Sequence, residues 1–304
     1  MRKFFRKLGF FSIILVLLIA TSTIVNRYIL CSSKKFVLDS NITLLIVGDS
    51  HTKYAFNDEI MENSINLSQD ADSYFYSLQK IRRIIQSNDQ INTILLSFSQ
   101  HNIHECIEDR WLLNDKHLNN RLKIYLPFLK VDDYAFLAKN NFSKLLGAMF
   151  QQISFPVVFW RNGIRMYGGY EKFPYKNKLK FEIEKQNKNG LREEYRTFNE
   201  SLIEKEYLQK IEEYCNQKGI NLILVNPPIH SSLRDKQKSL YNFYERNFSQ
   251  IQFYDFSRIE FKEKYFGDLV HLNAEGSEYL SNLFVKKCLI EPNNAKEFEI
   301  LYID

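Results

Sequence analysis

Leu44-Leu45-Ile46-Val47-Gly48-Asp49-Ser50-His51 is an unbroken apolar run that ends at a glycine and gives way to small polar residues. Four apolar residues without alternation are the pattern of a strand covered on both faces, as in a parallel sheet. Gly, Asp and Ser then favour a tight turn out of the strand. In an open parallel sheet the carboxyl ends of the strands face the ligand crevice, which puts Ser50 where a substrate can reach it.

The same alternation continues along the chain. Ile65–Leu67 reads as a weaker strand, and Asp72 is placed to cap a helix with Tyr74 or Phe75, Leu78, Ile81 and Ile85 on its apolar face. Ile91–Phe98 is a second buried strand. The span 196–218 reads as a helix stopped by Gly219, followed by a strand at Ile220–Val225 that Pro227 and Pro228 cannot extend. Ser232–Asn247 reads as helix, Ile251–Phe256 as the last strand, and Asn273 as the start of a final helix. Strands alternating with helices predict a three-layer α/β/α sandwich around a mostly parallel, flavodoxin-like sheet. Residues 103–190 break the rhythm. They are rich in aromatic and basic residues, as in 155–161, and read as an insertion or cap within a single α/β body spanning 35–304.

Residues 1–34 form a separate piece. Leu8–Val25 carries no charge, and its 18 positions span about 27 Å as a helix, close to the minimum for crossing a bilayer. Arg2, Lys3, Arg6 and Lys7 precede it, which predicts a cytoplasmic N-terminus and a body outside the membrane. A cleaved signal peptide is the other reading; an uncleaved anchor fits better because Tyr28-Ile29-Leu30 prolong the apolar run. These basic residues, with Arg27, Lys34 and Lys35, account for the net charge of +5, since no acid precedes Asp39. The body therefore has no basic excess with which to bind nucleic acid. Cys31, Cys106, Cys215 and Cys288 show no C-x-x-C spacing, so no zinc or redox centre is expected, and no cofactor. His51, His101 and His104 lie near strand ends, but their spacing does not define a metal site.

A serine hydroxyl becomes a useful nucleophile only when a base takes its proton, and a histidine base needs an acceptor on its second ring nitrogen. Asp268-Leu269-Val270-His271-Leu272-Asn273 follows the last strand, and an Asp three residues before a His can reach back to that nitrogen. Gly48-Asp49-Ser50 after the first strand and Asp268-x-x-His271 before the last helix resemble the two catalytic blocks of the SGNH hydrolase superfamily, the GDSL-type esterases. The resemblance covers about 42–288 outside the insertion. It implies Ser50 as nucleophile, His271 as general base and acid, and Asp268 as its orienting partner. It also implies an oxyanion hole from the Ser50 N–H, a backbone N–H after the second strand and an Asn after the third. The chain departs from the family there. Leu67-Ser68-Gln69-Asp70-Ala71 lacks the usual glycine, leaving the N–H of Ser68, Gln69 or Asp70, and Asn102 lacks its flanking Gly and Asp.

The expectation is a membrane-anchored serine esterase or O-acyltransferase acting on O-acyl, chiefly O-acetyl, groups of a cell-envelope polysaccharide, with polysaccharide-assembly partners. The membrane-anchored proteins with a GDSH block in polysaccharide O-acetylation systems are similar in appearance. A lipid or small-ester hydrolase and a non-catalytic glycan-binding domain of the same fold are the alternatives. Protease added to intact spheroplasts should digest the body; protection until lysis would reverse the orientation.

Overall fold

A computed structural model of the chain describes residues 1–32, 34–152, 162–190, 197–234 and 237–290, the side chains of 31 and 290 excepted. The aromatic run 155–161 lies outside the described residues. The chain divides into two compact units: Met1–Val37 with Leu112–Met166, and Leu38–Trp111 with Tyr167–Asp304.

The second unit is built on five parallel strands, β1 Leu44–Val47, β2 Ser64–Asn66, β3 Thr93–Ser97, β4 Asn221–Asn226 and β5 Gln252–Asp255, in the order β2-β1-β3-β4-β5. The sheet is parallel throughout. Leu44, Ile46, Leu95, Ile223, Val225 and Tyr254 share one face and pack on Ala55, Phe56, Leu280 and Phe284 from the helices Ser50–Ala55 and Ala274–Phe284 and their ends. Alternate positions, including Phe253, meet the opposite layer, where Tyr244 packs on Phe253 and Phe75 on Tyr207. Helices on both faces explain why the strands show no alternation: neither face meets water. The order of strands reverses between β1 and β3, and the crevice at that switch point lies beside Gly48 and Ser50.

Several boundaries move once tertiary contacts act. The helix 74–85 begins after Ser73, not Asp72. The Asp72 carboxylate is taken up by Lys80 Nζ at 2.9 Å, a fully buried pair, so it is not available as a cap. The cap comes instead from another helix. Glu204, in Leu202–Lys218, accepts the Tyr74 N–H at 2.7 Å, a carboxyl group placed where the helix dipole favours an acceptor. The region 232–247 is two helices, Ser231–Arg234 and Lys238–Asn247. Cys215 is a buried free thiol, and Cys288 is buried as well.

The first unit contains the helix Arg2–Cys31, the one helix among the described residues that is long and apolar enough to cross a membrane. Most of its first eighteen residues are exposed. Nearer its end, Asn26 and Leu30 are buried, and Asn26 Nδ2 donates to Gln152 O at 2.9 Å. Gln152 closes the helix Val131–Gln151, whose backbone departs from helical geometry at Asn141.

Glu204 also dictates a pH dependence. Burial is the largest influence and pushes its carboxyl up to about 8, against the opposing hydrogen bond from Tyr74. A group held protonated by folding stabilises fully below its ordinary value of 4.5, and that stabilisation is lost as pH rises through about 8. Glu204→Gln keeps an acceptor for Tyr74 without a titrating proton. Urea unfolding from pH 4 to 8.5 should therefore show the variant gaining on the native protein steadily across that window.

Candidate functional site

Gly48 sits at φ +151, a conformation L side chains avoid, and a Cβ there would lie 2.3 Å from Ser97 Cβ. The glycine thus lets the loop after β1 close onto the end of β3. Asp49 caps the helix Ser50–Ala55 by accepting the His51 N–H at 3.0 Å, and this leaves Ser50 on the first turn, facing out of the crevice end of β1. The Asp49 carboxylate is wholly buried and gathers three more groups. It accepts from Ser97 Oγ at 3.0 Å and Asn102 Nδ2 at 3.1 Å, and it pairs with His101 Nε2. Burial alone would raise this carboxyl, but His101 and His51 beside it and the bonds from His101 and Ser97 hold it well below the usual carboxylate range.

Ser50, Asp268 and His271 meet at this end of the sheet. His271 Nε2 lies 2.8 Å from Ser50 Oγ. His271 Nδ1 lies 2.9 Å from both Asp268 oxygens. Asp268 is buried and also accepts the N–H groups of Val270 and His271 at 2.9 Å each, so its loop is curled around the carboxylate. Burial would raise Asp268; the bond and charge of His271, then Lys178 and the Val270 N–H, hold it well below the usual range. A carboxylate kept ionised against an imidazole, with a hydroxyl on the far ring nitrogen, is the arrangement that lets a serine be deprotonated as it attacks.

The three candidate backbone donors after β2 are separated by their partners. The Ser68 N–H donates to Asn66 Oδ1 at 2.8 Å and the Gln69 N–H to Gly48 O at 2.9 Å. Asp70 is the remaining position; its side chain pairs with Lys53 Nζ at 2.8 Å. Asn102 is fixed on both sides of its amide. Its Oδ1 accepts from Ser99 N at 3.0 Å and Ser99 Oγ at 2.7 Å, while one Nδ2 hydrogen goes to Asp49.

Ligand atoms of Asp49, His51 and His101 lie within 4.8 Å of one another, close enough to surround a cation. The hydrogen bonding argues for a network instead. Both nitrogens of His101 have partners, Asp49 and Ser99 Oγ, and Asp49 already holds four donors. His51, whose Nδ1 has no hydrogen-bond partner among the described residues, is kept neutral chiefly by burial and then by His101. His104 faces elsewhere, with Nε2 on Thr197 O. His230 lies at a loop, its Nδ1 near Ser232 Oγ.

Sequence reasoning misses the groups that surround His271. Phe173 stacks on its ring at 5.5 Å and 25°, Tyr54 meets it edge-on at 5.3 Å, and Lys178 Nζ contacts Asp268 Oδ2 at 2.7 Å. Phe173 and Lys178 come from the stretch read as an insertion. Its aromatic richness hinted at a packing role, but nothing local links Lys178 to a residue 90 positions away.

Removing Asp49 should show how much depends on it. Asp49→Ala strands Ser97 Oγ, the Asn102 amide and His101 in a buried site, and should cost about 3–5 kcal/mol in urea unfolding. Asp49→Asn, which keeps some acceptors, should cost less.

A protein-family model matches residues 161–291. No curated protein matches the chain. Among solved structures, a protein provisionally described as a platelet activating factor from Streptococcus pneumonia is 12% identical, with 92% of this chain and 97% of that one covered and a TM-score of 0.39. A provisionally described acylhydrolase from Bacteroides fragilis NCTC 9343 is 11% identical, with 86% and 90% covered and a TM-score of 0.36. The functional reading rests on the geometry of the site.

Proposed function

We propose that the chain is a serine esterase or O-acyltransferase of SGNH type, held by its N-terminal helix with the body outside the membrane. The observation that carries this reading is the linear set Asp268, His271 Nδ1, His271 Nε2 and Ser50 Oγ, each link at 2.8–2.9 Å. In the proposed path His271 Nε2 takes the Ser50 proton as Oγ bonds to the acyl carbon. The carbonyl oxygen becomes an oxyanion, held by the Ser50 and Asp70 N–H groups and the second Nδ2 hydrogen of Asn102. His271 returns the proton to the leaving alcohol as the ester bond breaks. Water or a sugar hydroxyl then attacks the acyl-serine, losing its proton to His271, which passes it to Ser50 Oγ as the bond from Oγ to the acyl carbon breaks. Asp268 stays ionised throughout and keeps the imidazole in the required tautomer.

An O-acetylated envelope polysaccharide is the proposed substrate. Its support is the export reading of the N-terminal helix and an open cleft of about 660 Å³ lined in part by Phe173. Phe173 and Tyr175 line it, among Lys176, Lys180 and Lys264. Flat rings mixed with polar groups suit a saccharide, which presents C–H faces and hydroxyl edges.

The test is covalent labelling by a fluorophosphonate together with p-nitrophenyl acetate turnover. Ser50→Ala and His271→Ala should each abolish both, and the double variant should be little worse than either, because the two act as a unit. Asn102→Ala should slow turnover by roughly 10²–10³-fold. Activity surviving in Ser50→Ala would remove the serine mechanism. A folded native protein that takes no label would transfer the reading to a non-catalytic, glycan-binding domain.

A further inference from the structure

Residues 168–178 run past the loop after β2, the helix after Ser50, the His271 ring and Asp268 in turn. Gly168, at φ +132, lies so close to the loop after β2 that a Cβ would sit 2.3 Å from Ser68 O, and the Gly169 N–H donates to Ser68 O at 3.1 Å. Glu171 shares Lys53 with Asp70, at 3.0 and 2.8 Å. Phe173 packs on both Tyr54 and His271, and it lies where any side chain on Gly267 would be. The segment ends at Lys178, whose Nζ reaches Asp268 Oδ2 and lies 5.2 Å and 5.1 Å over the rings of Phe173 and Tyr175.

Lys178 opens the helix Lys178–Asn189, which has no acid in its first turn. A cation there opposes the helix dipole, so the helix gains nothing from it. The compensating contact is the Asp268 carboxylate. That contact has a chemical consequence. A lysine on Oδ2 offsets part of the negative charge that Asp268 presents to the His271 ring.

We infer that residues 168–178 form a strap that holds the Ser50, His271 and Asp268 set in place, with Lys178 as a positioning residue that tempers the charge Asp268 presents to His271. The catalytic part of this inference rests on the serine reading above. The charged and titratable groups around His271 are Asp268 on its own loop, His51 and Tyr54 against its ring from the helix after Ser50, and, from the helix 178–189, Lys178 on Asp268 with Glu182 beside Lys178. His101 and Asp49 stand behind His51. Of these, Lys178 is the cation in direct contact with Asp268.

The experiment compares the full-length native protein with Lys178→Gln, Lys178→Met and Lys178→Arg. The chain has six histidines, so the His271 ring can be followed by NMR with ¹⁵N-labelled histidine and identified by the signal lost in His271→Asn. In the Gln and Met variants the midpoint of the His271 titration should move up, because more of the Asp268 charge then acts on the ring. The acid limb of Ser50 labelling by fluorophosphonate should move with it. Lys178→Arg should restore the native midpoint, which a merely space-filling role would not require. Two charge-removing variants are read so that poor folding of one leaves the other. An unmoved midpoint in a folded Gln or Met variant would overturn the inference. Failure of the serine reading is separate: Ser50 would take no label in the native protein, while the His271 titration would still report on Lys178.

Discussion

The buried Asp49 carboxylate is the constraint on which the site depends. A fully desolvated charge is tolerated only when its acceptor positions are filled. Here the donors come from its own helix, from the end of β3 and from the turn after it. Satisfying Asp49 therefore pins the loop after β1 against the loop after β3, at the point where the strand order reverses. Gly48 is the geometric counterpart of this electrostatic demand, because only without a Cβ can the backbone approach Ser97 so closely. Ser50 takes its direction from that closure, although it makes none of the bonds itself.

A second buried carboxylate organises the other half. Asp268 holds the turn before the last helix by accepting two backbone N–H groups, and the same oxygens orient His271. The two halves meet in one contact, His271 Nε2 to Ser50 Oγ, across 221 residues of sequence. Buried polar groups elsewhere follow the same logic. Asp72 is committed to Lys80, whose Nζ also donates to Leu67 O at 2.6 Å at the start of the loop that carries Asp70. Glu204 substitutes for the cap that Asp72 cannot provide.

The stretch read as an insertion contributes unequally. Residues 112–166 belong to the compact unit that includes the N-terminal helix, while 167–190 belong to the unit of the sheet. The latter part supplies Phe173 and Lys178. A segment that stacks on the imidazole and contacts its carboxylate is part of the site's construction.

Much of this was legible in the sequence because it is local. Unalternating apolar runs such as Leu44–Val47 mark strands covered on both faces, Gly219 marks a helix stop, and Asp268-x-x-His271 fits one tight turn. The apolar length of Leu8–Val25 likewise needs no partner to be recognised. What the tertiary structure alone decided are the pairings among groups with equal local claims. Asp72 was the cap its position suggested until Lys80 took its carboxylate and Glu204 arrived from another helix. Ser68, Gln69 and Asp70 were equivalent donors until Asn66 and Gly48 used the first two N–H groups. Lys178 and Asp268 have no relation along the chain, because an ion pair is fixed by the packing of whole elements, and sequence spacing carries no trace of it.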